Sequence, residues 1–516
     1  MNGSPLITIL TAVPLIGALG ILSLGTRNRN LARGLALASS SIALALTLIL
    51  WHRFNPASSD LQFEELHAWI PAIGVQYHVG IDGLGLLMLL LSAIVVPMSI
   101  AASWQTQEGA SLYFSLVLFL QAGLFGTFSA LNFFHWFIFW ELSLIPAFFL
   151  IRLWGGPQRA AAATQFFVYT MIGSIALLLA FLAIFQCTGT FDFIGLSELS
   201  RNGQLIPALA KIAWHTLAPR QIAMIIFCGA FLGLAVKVPL IPFHTWLPET
   251  YAEAPSGTTM LLTGAMSKMG VYGFLRILLP IFYVEMRSAR TLLLWLAVAT
   301  IILSAYAALA QTDLKRILAY SSINHLGYCM LGIFSVAGFV GDNAAFATAK
   351  VAALNGVILQ MFNHGLTAAT LFWFVALLDK RSGGLRGLND FGGLRKIAPV
   401  FCGLMGIALF SSLGLPGLNG FVSEFLIFRG SFPLATWATA LAVIGLLATA
   451  IFILTILQRV FSGPLNERWS TLQDLTIGER LALLPPIAIM FVLGIYPQLV
   501  LGVINSTAIG MIQQLK

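Results

Sequence analysis

From about residue 5 to residue 502 this chain is a succession of apolar runs, each long enough, at ~1.5 Å per helical residue, to cross about 30 Å of hydrocarbon. No other feature narrows the possible folds so far. Inside lipid every backbone N–H and C=O has to find its partner within the chain, so continuous apolar runs of this length are helices packed against one another. Roughly fourteen spans are expected, near 5–24, 31–51, 83–103, 112–129, 131–153, 163–187, 221–250, 258–279, 291–310, 317–337, 346–378, 398–430, 435–460 and 481–502. The fold class is an all-α polytopic membrane protein, with 1–516 as a single membrane domain. The connectors near 52–80 and 188–220 read as loops, too short for a soluble domain. The opening MNGSPLITIL has no positive n-region, and no small-residue cleavage site follows it, so it reads as a first span rather than a removable signal.

Only 9% of the residues are charged and 59% are hydrophobic, which excludes a soluble chain of this length. The net charge of +8 does not point to nucleic acid, because the basic residues sit in short loops with no basic stripe. It reads as topology. Loops on one side hold Arg27, Arg29, Arg33, Arg152, Arg159, Lys315, Arg316, the cluster from Lys380 to Lys396, Arg459, Arg468 and Arg480, so that side is cytoplasmic or its equivalent and both termini lie on the other. The four cysteines, Cys187, Cys228, Cys329 and Cys402, are far apart, without CxxC or Cys/His spacing, and read as packing residues.

Two spans are interrupted at matching places, the seventh at VKVPLIPFHTWLP and the twelfth at SSLGLPGLNGFVSE. They lie five spans apart, and five is odd, so a five-helix unit repeated once is inverted in the membrane; paired breaks of this kind mark a transporter's ion path. The expected units are 1–105 with spans 1–3, 112–280 (spans 4–8) and 291–460 (spans 9–13) as inverted repeats, and 481–505 with the last span. Pro and Gly are also common in ordinary membrane helices, which leaves a simple kink as the alternative.

An ionisable group at the bilayer centre costs about 2.5 to 3.5 kcal/mol, so each is a functional candidate. Glu141 lies midway along its span in FHWFIFWELSLIP, Lys237 deep in the seventh, Lys268 in LLTGAMSKMGVYGFLR, His364 in LQMFNHGLTAAT, and Glu424 just past the second break; His325 in AYSSINHLGY is shallower. Most share one depth, so they form a row parallel to the membrane rather than a wire across it. Lys237 stands where its helix ends, where free carbonyls and the negative end of the helix dipole favour a cation. A lysine there can carry a proton and lose it when desolvated. Each candidate has a plainer reading. Glu141 and Lys237 can be a static ion pair, Lys268 can snorkel, His325 and His364 can be neutral interhelical hydrogen-bonders, and Glu424 can cap the new helix start. Arg276 and Lys350, near span ends, read as snorkelling; Asp82, Arg152, Lys315 and Arg316 read as interfacial.

The ordered set FWELSLIP, LAVKVPLIPFHTWLPETYAEAP, LLTGAMSKMGVYGFLR, AQTDLKRILAYSSINHLGY, MFNHGLTAATLF and LGLPGLNGFVSEF resembles, over about residues 5–505, the antiporter-like subunits of respiratory complex I, in particular the subunit M or chain 4 family. That resemblance implies a proton-translocating membrane-arm subunit of an NAD(P)H:quinone oxidoreductase. It implies Glu141 and Lys237 as the coupling pair of a half-channel, Lys268 as the next carrier, His325 and His364 as bridges, and Glu424 at the exit. The sister chains 2 and 5 usually carry lysine at this second break, and a chain 5 has a long lateral helix after its last span. The resemblance also implies no cofactor in this chain, with flavin and iron–sulfur clusters on partner subunits. The partners implied are sister antiporter-like chains, a peripheral electron-transfer arm, lipids, and quinone bound elsewhere, in a bacterial plasma membrane or an equivalent energy-transducing membrane. A subunit of an Mrp-type cation/proton antiporter, a membrane-bound hydrogenase chain and a structural membrane spacer are the alternatives.

Overall fold

The computed structural model of the chain describes residues 5–25, 28–212, 217–338 and 344–515. Among them, twelve helices are long and apolar enough to cross a membrane, from Leu6–Ser23 to Ile477–Ile495. The eighth and twelfth expected spans take other forms. Residues 256–281 stay helical but widen into π-helix at Leu262–Met266 and Phe274–Leu278. The twelfth is two pieces, Pro399–Leu413 and Asn419–Ser431, joined through Gly414 and Gly417 in the left-handed region. The seventh is also divided, into Pro219–Lys237 and Trp246–Glu253. The chain is thus an integral, multi-pass membrane protein.

Burial sorts the helices. Leu314–Ala337 and Phe346–Ser382 are each 94% buried over their apolar window, against 28% for Ile477–Ile495; the first two occupy the interior and carry His325 and His364. Peripheral helices turn Leu19, Leu179, Leu447 and Leu481 outward, as expected where the solvent is lipid. Several helices start on a side-chain cap: Asp82 accepts from Gly85 N, Asn132 from Phe134 N, and Asp313 from Arg316 N, each satisfying an amide that the helix leaves free.

Three connections differ from expectation. Residues 52–80 contain an antiparallel hairpin, Gln62–Ile70 with Val75–Ile81, so the chain is not wholly α. Aromatic and β-branched residues such as Trp69, Val75, Tyr77 and Val79 supply the strands, and Gly74, at φ 63, makes the turn. The 188–220 connector folds into short helices, Phe193–Arg201 and Leu205–Leu209. The last span does not run to 502. It stops at Ile495, and a separate helix, Gln498–Gln513, follows Pro497. That helix returns across the hairpin end of the bundle: Gly83 N donates to Thr507 Oγ1 and Ser506 Oγ to Pro56 O.

The hairpin is fastened through His78. Its Nε2 lies 2.8 Å from Glu64 and its Nδ1 2.7 Å from Asp192, and its backbone oxygen accepts from Leu131 N. Burial opposes a charge on this imidazole, but the carboxylates of Asp192 and Glu64 outweigh it and hold its pKa above the usual histidine value. The fastening is therefore complete below about pH 6.5 and is lost as pH rises through the higher folded value. Hydrogen exchange of the hairpin amides, corrected for intrinsic rates between about pH 6 and pH 9, is expected to show protection falling as pH rises. His78→Gln is expected to lack that pH dependence; equal pH dependence in the variant contradicts the assignment.

Candidate functional site

Lys268 is fully buried. Its Nζ donates to Thr263 O at 2.5 Å and Ser267 Oγ at 3.2 Å, and lies 2.8 Å from His364 Nδ1. That last contact depends on two glycines. The Lys268 and His364 helices cross at Gly264 and Gly365, where a Cβ added to Gly365 would meet Gly264 O at 2.4 Å. Any larger residue there forces the helices apart and takes the imidazole out of reach.

His364 passes the line on to His325, with ring centroids 5.1 Å apart. His325 Nδ1 stands 3.0 Å from Glu424 Oε1, at ion-pair distance but poorly aligned for a hydrogen bond, and its Nε2 is 3.2 Å from Ser412 Oγ. All four side chains are buried, His364 being the most open at 8%. They form one file, Lys268, His364, His325, Glu424, drawn from four helical segments.

The second break is what aims Glu424. The helix restarts at Asn419, so the carboxylate emerges within the bundle rather than at its surface. Gly414, at φ 83, leaves room for it, since a Cβ there would lie 2.9 Å from Glu424 Oε2. The polar groups freed by the break are tied to the His364 helix: Asn363 Nδ2 donates to Asn419 O, and Gln360 Nε2 donates to Glu424 Oε1. Glu424 faces His325 and does not cap the helix start.

Glu141 and Lys237 form a second group. Lys237 closes its helix, and the irregular residues after it are held by Trp246 Nε1 donating to Val236 O and Ile241 N donating to Thr300 Oγ1. No ion pair among the described residues joins Glu141 to Lys237. The ammonium lies instead 4.9 Å from the centre of the Trp140 ring, and Glu141 Oε1 is buried with no hydrogen-bond partner. Consecutive helical residues point about 100° apart, so the helix turns Trp140 rather than Glu141 to the amine. The two groups lie on adjoining helices: a Cβ on Gly270, two residues after Lys268, would sit 3.2 Å from Lys237 C.

Several residues of the site are not legible in the sequence. Trp140, Gln360, Asn363 and Ser412 carry no signal of their own in an apolar span. Arg276 does not snorkel: its guanidinium pairs with Asp82 at 2.6 Å, and its Nε donates to Tyr272 Oη. Those partners lie 194 positions apart, beyond any local pattern. Chemically the six candidates have one ability in common. Each can take up and release a proton, and within the file neighbours are close enough to exchange one directly or through a water.

Residues 130–451 match a family profile described as NADH:quinone oxidoreductase/Mrp antiporter, transmembrane. The NADH-quinone oxidoreductase subunit M of Rhodobacter capsulatus is 34% identical over 98% of this chain and 96% of its own length. The F(420)H(2) dehydrogenase subunit M of Methanosarcina mazei is 35% identical, covering 98% of each chain. Among solved structures, a chain of respiratory complex I from Thermus thermophilus superposes with a TM-score of 0.84, at 28% identity, over 99% of this chain and 100% of that one.

Proposed function

This chain belongs to the NADH:quinone oxidoreductase/Mrp antiporter transmembrane family, and from that premise we propose that it is the proton-translocating, subunit M type membrane chain of a quinone-reducing dehydrogenase complex. Electron transfer runs on partner subunits, through flavin and iron–sulfur groups, and this chain carries protons without redox chemistry of its own. Its other partners are sister antiporter-like chains of the membrane arm, with quinone bound elsewhere in the complex. The membrane is a bacterial plasma membrane or an equivalent one, with both termini on the non-cytoplasmic side. The named relatives oxidise different donors, NADH in one case and F(420)H(2) in another, so the proposal extends to the class of donor-driven pump.

The observation that carries this reading is the buried file from Lys268 through His364 and His325 to Glu424. A spacer has no use for four titratable groups aligned in lipid, where each costs energy to place. In the proposed cycle, a change in a neighbouring subunit moves Glu141 relative to Lys237. Lys237 then yields its proton toward Lys268, the histidines pass it along, and Glu424 releases it on the far side.

The test uses the whole complex reconstituted in vesicles, with donor-driven acidification measured against donor oxidised. Lys237→Met and Glu141→Gln are each expected to cut translocation at least about tenfold while the subunits still assemble. Normal stoichiometry in either assembled variant removes that residue from the relay. Sodium-dependent proton exchange without an electron donor, in place of donor-driven translocation, replaces the proposal with the Mrp-type antiporter.

A further inference from the structure

The relay assigns Trp140 no role, yet this indole is the group on which the Lys237 ammonium rests. The amine lies 4.9 Å from the ring centroid, inside the ~6 Å range of cation–π attraction, for which tryptophan is the strongest of the aromatic side chains. Lys237 is 3% exposed and Trp140 2%, so water competes little for the charge. The ring is held on two sides: Nε1 donates to Ser174 Oγ at 3.0 Å, and Trp136 packs against it with centroids 4.6 Å apart. Ser174 also stands beside the Glu141 carboxylate. One hydroxyl therefore borders both the aromatic and the acidic alternatives for the amine.

We propose that Trp140 is a positioning residue that seats Lys237 on its ring face and so holds the Glu141–Lys237 pair open, giving the amine two places, indole and carboxylate, between which the relay works. This rests on the relay reading given above. A full ion pair is the deeper of the two wells inside lipid, and an amine with only that well available stays in it. The indole supplies a second well without supplying a second carboxylate. It binds the cation and has no affinity for the neutral amine as a base partner, so it holds a charged lysine ready and lets a discharged one go. Helix geometry couples the two places: a turn of the Phe133–Trp154 helix about its axis that brings Glu141 toward the amine carries the Trp140 ring away from it.

The test replaces Trp140, in the intact complex, by a series of increasingly fluorinated tryptophans, which drain electron density from the ring face with little change of volume. Proton translocation per donor oxidised is expected to fall stepwise with fluorination. Trp140→Phe, which keeps a weaker ring face, is expected to retain more activity than Trp140→Leu, which should lose about thirtyfold, the scale of a desolvated cation–π contact. A structure of the Trp140→Leu complex is expected to show the Lys237 amine within ion-pair distance of Glu141. A flat fluorine series, or an amine that has not moved, overturns the role of Trp140. Lys237→Met in parallel separates the two failures: if it pumps normally the relay itself is wrong, whereas loss there beside a flat fluorine series removes only the indole seat.

Discussion

Lys268→Met, in an assembled complex, is expected to lower donor-driven proton translocation by more than about tenfold, which corresponds to a barrier raised by at least about 1.4 kcal/mol. Lys268 heads the file, with its amine 2.8 Å from His364 and enclosed by Thr263 and Ser267. A thioether offers no exchangeable proton, and no other titratable group is in contact with His364 except His325 among the contacts of the described residues. No carboxylate pairs with Lys268 among the described residues, so its replacement leaves no buried counter-ion stranded, and assembly is expected to survive. Lys268→Arg is the sharper comparison. Arginine keeps the charge and has more donors, but its guanidinium does not give up a proton under these conditions. If Lys268 only supplied a fixed positive charge beside the histidines, arginine would serve and methionine would not. If it is a carrier, both fail. Translocation per donor in the two variants, measured beside donor oxidation with an artificial acceptor that bypasses the membrane arm, distinguishes these cases, and a pumping Lys268→Met complex ends the carrier role.

The burial of most of these groups was legible in the sequence, and their contacts were not. An amine or carboxylate within an apolar run is visible because lipid makes it expensive, and the helix end at Lys237 is visible because Pro239 and Pro242 follow it. What a linear pattern cannot give is rotation. Whether Trp140 or Glu141 faces Lys237 depends on about 100° of helix phase, and in a span that is apolar on every side no polar face fixes that phase. For the same reason Gln360 and Asn363 look like incidental polar residues until the second break is laid against them. Arg276 and Asp82 each sit near a span end, where exposure is the ordinary expectation, and only the packing of the two segments shows them paired. The hairpin was hidden by scale: its strands are short beside the neighbouring spans, and a hydropathy reading registers the whole connector only as less apolar. The turn at Pro497 was hidden because the residues beyond it remain apolar, as suits a helix lying back on the bundle.

Glu424→Gln is expected to bring translocation close to the uncoupled floor, because His325 stands 3.0 Å from the carboxylate and has no other anion in contact among the described residues. A proton arriving on a buried imidazole then meets no counter-charge. Removing one partner of a buried pair costs about 3–5 kcal/mol, and at ~1.4 kcal/mol per factor of ten the protonated intermediate becomes more than about a hundredfold rarer. Glutamine preserves the shape and the contact with Gln360, so the loss cannot be assigned to a collapsed site. Glu424→Asp keeps the charge but draws it back by about one carbon–carbon bond, ~1.5 Å, and is expected to fall between wild type and glutamine. The order wild type, Asp, Gln follows from charge and distance together. A residue that merely bordered the helix start would give another order, with glutamine close to wild type because an amide oxygen accepts hydrogen bonds as a carboxylate does. Measuring acidification per donor oxidised in the three complexes decides between them, and a glutamine variant that pumps like the parent removes Glu424 from the path.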